Sequence, residues 1–149
     1  QIVQTSGYVI FMTEQLRTYR VIPTAPRPHV GSNIHLYMGD SRGRWEGNTF
    51  VVDVRNLKDR VWLDHVGNTF SESATIVERW TMFHQDVIHY QATITDPTVF
   101  TRPWTIAFGW RRNTEAGFQL LESACWEGIQ DAQQRLKNEL KVYTGGFTR

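Results

Sequence analysis

The chain has a single cysteine, Cys125, so no internal disulfide can form and a four-cysteine zinc site is excluded. It has no apolar run near the roughly 18 residues that a membrane-spanning helix needs. It also lacks a basic block. Lys+Arg number 16 against 15 Asp+Glu, a formal net charge of +1, and no stripe of the kind that nucleic-acid binders carry stands out. A glycine-rich phosphate loop and a nucleophile elbow are both missing. His29, His35, His65, His84 and His89 show no metal-ligand spacing, so neither a metal nor another cofactor is expected. Gln1 to Glu14 has no basic n-region and no small-residue cleavage site. It reads as the start of a strand, and the chain as a processed form or a piece of a longer precursor.

What is present suits one globular domain. A length of 149 residues can bury a sizeable core, and 40% hydrophobic with 21% charged residues excludes a disordered chain. Aromatic residues make up 13%, with six Trp and eight Phe, which points to strand-rich packing or an aromatic-lined cavity.

Tyr8 to Thr13 and Arg17 to Ile22 read as a first hairpin across Glu14 to Leu16. Pro23-Thr24-Ala25-Pro26-Arg27-Pro28 cannot be a central strand or a helix interior, so an extended loop is expected to about Asn33. Ile34 to Met38 reads as a short strand.

Two hairpins carry the clearest signals. Gly47-Asn48 is a two-residue turn whose residues accept positive φ at low cost. It sets Glu46 opposite Thr49, Arg44 opposite Val51 and Arg42 opposite Asp53. One face then carries Arg42, Arg44, Glu46, Thr49, Asp53 and Arg55, the other Trp45, Phe50, Val52 and Val54. Thr75 to His84 and Val87 to Thr95 turn at Gln85-Asp86. Counting back from that turn sets Met82 opposite His89, Trp80 opposite Gln91 and Glu78 opposite Thr93. Val77, Arg79, Thr81, Phe83, Ile88, Tyr90, Ala92 and Ile94 then share the other face.

Pro103 to Arg111 alternates with Trp104, Ile106, Phe108 and Trp110 on one side. Asn113 to Gly117 is a turn, Phe118 to Cys125 a last strand, and Glu127 to Lys141 switches to helical spacing. The expected fold is mainly β: an antiparallel, lipocalin-like barrel or strongly curved sheet with one C-terminal helix, a closed barrel being favoured because it removes exposed edges.

The strings from Gly39 to Asp53 and from Asp96 to Trp104, together with Glu78-Arg79 and Glu122 to Gly128, resemble an uncharacterised bacterial protein family. Its members carry GDSRGRWEGDTLVV and DP…YTRPW segments and are predicted to be exported. The resemblance spans Arg20 to Gly128 and implies a periplasmic or secreted setting and a missing N-terminal part. Family members often have His after the Cys. Trp126 stands there in this chain, which puts any metal or acid–base role of that position in doubt. Gly43-Arg44-Trp45 is also similar to the Gly-x-Trp of lipocalin-like barrels, though it lies a third of the way along.

Each candidate group has a plainer reading beside it. Arg42, Arg44 and Asp53 could hold an anion, since arginine forks suit carboxylate or phosphate. They could equally be a solvated face with cross-strand ion pairs worth ~0.2–1 kcal/mol each. Glu78 and His89 with Trp80 and Gln91 would form an acid–base pair in an amphipathic pocket, or an outer face with the core behind it. Arg79, on the apolar face, would need a partner such as Asp96 or Glu122. Trp104 could line a ligand entrance, and Cys125 reads as a small buried hydrophobe.

Three functions follow from this reading. The first is a small-molecule-binding barrel with an aromatic-lined polar pocket. The second is a cofactor-independent lyase, isomerase or hydrolase using Glu78 and His89, with Arg42 or Arg44 as anion clamp. The third is an assembly subunit that joins copies or partner chains through strand edges and a Trp-rich surface. A closed pocket holding Glu78 or His89 would favour the first two; a filled interior with an exposed Trp patch would favour the third.

Overall fold

The computed structural model describes residues 1–13, 18–64 and 66–119. The expected helix from Glu127 to Lys141, Cys125 and most of the Phe118 to Cys125 strand lie outside them. The chain divides into two units, Gln1–Met12 with Tyr19–Phe118, and Thr13–Thr18 with Gln119–Arg149. In the second unit the amide of Thr13 donates to the carbonyl of Thr18 at 2.9 Å. All described strands belong to the first.

They are β1 (Ile2–Thr5), β2 (Tyr8–Met12), β3 (Tyr19–Pro23), β4 (Asp40–Glu46), β5 (Thr49–Arg55), β6 (Val61–Trp62), β7 (Thr69–Phe70), β8 (Thr75–His84), β9 (Val87–Thr95) and β10 (Trp104–Arg111). The unit is mainly β and antiparallel. The strands form a three-stranded sheet β1-β2-β3, a five-stranded sheet β10-β9-β8-β5-β4 and the pair β6-β7. The closed barrel does not form among the described strands. β3 and β4 border one another but share no ladder. The connection between them contains Pro26 and Pro28, and β3 ends on Pro23, none of which has a backbone N–H to offer a ladder. Ile34 to Met38 is not a strand either: it contributes one parallel bridge, Leu36 with Leu57. Among the described residues no helix is long and apolar enough to cross a membrane.

The core lies between the two larger sheets. Val9, Phe11 and Ile22 from the first meet Phe50, Val52, Val54, Trp80, Tyr90, Ala92 and Ile94 from the second. Phe11 and Trp80 stack at 4.4 Å between ring centroids, and Tyr90 lies 4.3 Å from Trp80. These alternate residues point the same way because side chains in a strand repeat every second position.

The Gly47-Asn48 hairpin keeps the expected register throughout, from Glu46 opposite Thr49 to Arg42 opposite Asp53. The Gln85-Asp86 hairpin does not. His84 pairs with Val87, but Met82 pairs with Ile88, because Phe83 is an unpaired extra residue. Every pairing beyond it is shifted by one: Trp80 faces Tyr90, Glu78 faces Ala92, Arg79 faces Gln91 and Thr81 faces His89. Burial drives the bulge. Without it, Ile76 and Trp80 would lie on the opposite face from Tyr90, Ala92 and Ile94, and one apolar set would be left in water.

Candidate functional site

The bulge decides which predicted residues meet. Glu78 lies on the core face beside Trp80, on the central strand of the five-stranded sheet, and is 6% exposed. His89 is exposed on the opposite face, so the Glu78–His89 pair does not assemble. Gln91 shares the face of His89, opposite Arg79. Arg79 is not on the apolar face. It is paired with Glu46 at 3.1 Å and not with Asp96, and Glu122 lies outside the described residues. Trp104 is half-buried at the core margin, 5.5 Å from Phe100.

What sequence reasoning missed is the partner of Glu78. Arg20 alternates with Ile22 on β3 and so points toward the core with it. Its Nη1 donates to Glu78 Oε1 and its Nη2 to Glu78 Oε2, both at 2.9 Å, a bidentate fork. Nη2 also donates to the Ser41 hydroxyl at 2.9 Å, and the Tyr90 hydroxyl donates to Glu78 Oε1 at 3.0 Å. Burial, then the neighbouring Glu78 charge, pushes the Tyr90 phenol far above its ordinary value, so it remains a neutral donor. A carboxylate bound on both oxygens is a poor acid–base catalyst. The signal available in the sequence was the alternation of Arg20 with Ile22, together with the need of a buried Glu78 for a cation.

Arg42, Arg44 and Asp53 share the other face of the five-stranded sheet but pair along their strands rather than across them. Arg44 meets Glu46 at 2.7 Å and Arg55 meets Asp53 at 2.9 Å. Val51, opposite both Arg44 and Arg79, is 0% exposed although it faces away from the core. The two guanidinium groups converge on Glu46, and their aliphatic stems cover Val51.

Arg42 belongs to a different group. Its Nη1 donates to Asp40 Oδ1 and to the Ser41 carbonyl, and its Nε donates to the Pro28 carbonyl at 3.0 Å. Asp40 Oδ2 accepts from the Val30 amide at 3.1 Å and lies 2.8 Å from His29 Nδ1, which carries a proton to meet a carboxylate. His29 Nε2 is 3.8 Å from Asp53 Oδ1. These contacts fasten the proline-rich loop to β4. Asn56, in the left-handed region at φ 58°, holds the far part of the loop through its side-chain amide, which donates to the carbonyls of Gly31 and Ile34 at 3.1 Å each.

The fastened loop, the edge of β3 and the edge of β4 enclose a half-open cleft of about 230 Å³. Arg20, Arg27, Arg42, Asp40 and Ser41 line it, with Tyr19, Val21, Leu36 and Met38 adding apolar surface. Arg27 is exposed and makes no hydrogen bond or ion pair with a described residue.

On the core side of β10, Ile106, Phe108 and Trp110 are 38%, 47% and 41% exposed. Trp110 lies 5.3 Å from Trp80 and Phe108 lies 5.0 Å from Tyr90, so this strip continues the core outward. Trp62 is 69% exposed elsewhere on the surface. Among the described residues no group of three or more His, Cys, Asp or Glu side chains could hold a metal ion.

No family model, no curated protein and no solved structure matches the chain.

Proposed function

We propose that the protein binds a small molecule in the cleft between β3 and β4. One observation carries this reading: Arg27 and Arg42 line the same cleft, and both keep hydrogen-bond donors that no described residue satisfies. Arg42 is half-buried and Arg27 exposed beside it, and unpaired guanidinium donors next to apolar surface suit a ligand with acceptor oxygens and an apolar part. Binding is favoured over acid–base catalysis because Glu78 is occupied on both oxygens and His89 is on the opposite face. The extracytoplasmic setting implied by the resemblance is part of the same proposal.

The expected result of a fragment screen on ¹⁵N-labelled protein is a set of hits that shift the amides of Tyr19 to Val21 and Gly39 to Arg42. Hits that move only amides elsewhere, or no hits at all, would overturn the reading.

A second reading rests on the aromatic strip of β10. Exposed Phe108 and Trp110 on the edge strand of the described sheet suit the joining of a second copy of the chain. Sedimentation equilibrium should then show concentration-dependent dimers that Phe108→Ser removes. A monomer at every concentration, unchanged by the substitution, counts against it.

A further inference from the structure

We infer that the cleft takes a small monocarboxylate with a short apolar tail, an inference that rests on the binding reading above. The first argument is charge. Arg20 is matched by Glu78 and Arg42 by Asp40, while Arg27 meets no carboxylate among the described residues. Among the described residues the lining therefore has one positive charge left over. A carboxylate brings one negative charge. A phosphate monoester brings about −1.5 to −2 near neutral pH and would leave the cleft net negative.

The second argument counts donors. A guanidinium offers five N–H groups. Arg42 uses Nε on the Pro28 carbonyl and Nη1 on Asp40 and Ser41, and its Nη2 bonds to no described residue. Arg20 is largely spent, with Nη2 shared between Glu78 and Ser41 and Nη1 on Glu78. Arg20 Nε also has no partner but is buried, so the accessible free donors among the described residues are those of Arg27 and of Arg42 Nη2. A planar carboxylate with two acceptor oxygens matches them.

The third argument is the rest of the wall. Tyr19, Val21, Leu36 and Met38 line the cleft and are 69%, 47%, 41% and 47% exposed, leaving apolar surface next to the guanidinium groups. A fully hydrated anion would leave that surface wet, whereas an aliphatic or aromatic tail would cover it. At about 230 Å³ the cleft is smaller than the roughly 300–1,000 Å³ of drug-sized sites, so the tail is short.

The test titrates ¹⁵N-labelled protein with benzoate, benzamide and inorganic phosphate in chloride-free buffer, following the amides of Tyr19 to Val21 and Gly39 to Arg42. Benzoate should shift them to saturation, and benzamide should bind at least ~10-fold more weakly, for want of the charge. Arg27→Gln, a substitution on an exposed loop that leaves the fold intact, should weaken benzoate by about 10-fold. If benzamide or phosphate binds there as tightly as benzoate, or if Arg27→Gln changes nothing, the ligand class is wrong and the cleft still binds. If none of the three probes shifts these amides while fragments from the screen do, the class again fails alone. Silence from both sets of compounds brings down the class and the binding reading together.

Discussion

Arg20→Met is expected to destabilise the protein by about 3 kcal/mol, near the lower end of what breaking one side of a buried ion pair costs. The substitution leaves Glu78, with its side chain 8% exposed, facing Phe11, Trp80 and Tyr90 without a cation. The Arg20 side chain is 18% exposed, and the water this admits is why the lower end applies. The companion variant is more informative. Arg20→Met with Glu78→Leu exchanges the pair for apolar groups of similar length and should recover most of the loss, since desolvating two charges offsets much of their attraction. Urea midpoints read at constant m-value measure both. If the double variant is as unstable as the single one, the pair contributes more than charge matching, and its hydrogen bonds to Ser41 and Tyr90 become the place to look.

The second large effect is expected at Asp96, which is 1% exposed and anchors the segment before β8 to the segment after β9. Its Oδ2 accepts from the Ser71 amide at 2.7 Å; its Oδ1 accepts from the Ser71 hydroxyl at 2.7 Å and the Thr98 amide at 3.1 Å. Burial by itself would raise the Asp96 pKa, but the hydrogen bonds from Ser71 and Thr98 outweigh it, and the net shift is downward. A depressed folded-state pKa means the unfolded chain takes up the proton first. The stability from Asp96 is therefore complete above the ordinary carboxylate value near 3.9 and is lost as pH falls through the lower, folded value. Asp96→Asn puts an amide N–H₂ where donors already converge and should cost on the order of 3 kcal/mol at neutral pH. The same variant should show a shallower loss of stability than the parent as pH falls below about 4. Parallel acid-unfolding curves for the two proteins would rule this account out.

Much of the fold was legible because turn chemistry and side-chain alternation act locally. The Gly47-Asn48 turn accepts positive φ, Gly47 adopts 62°, and seven residues on each side follow in unbroken register. The Gln85-Asp86 turn was legible too, yet the pairing beyond it was not. A bulge answers to the core and not to the turn. One clue was present: Ile76 and Trp80 on one strand and Tyr90, Ala92 and Ile94 on the other can share a face only if the hairpin holds one extra residue. The short strands β6 and β7, two residues each, carry too few positions to show a period. The site was legible only in part. Arg42 was singled out and does line the cleft, but Arg20 and Arg27 come to it from other segments, and no local pattern reports which distant edges will border one another. Closure into a barrel was a global inference drawn from the number of strands and the cost of exposed edges, and among the described strands neither β3 with β4 nor β1 with β10 forms the ladder it needs.

The extra residue at Phe83 separates two kinds of tolerance. Its side chain is 81% exposed, so almost any amino acid could stand there. Its peptide unit has no such latitude. Losing one residue between Met82 and His84 would reverse the parity of β9: Ile88, Tyr90, Ala92 and Ile94 would turn to solvent, and His89 and Gln91 would turn inward. β10, laddered to β9 from Trp104 opposite Ile94 to Arg111 opposite Val87, would be carried over with it. At Phe83, spelling is free and letter count is not.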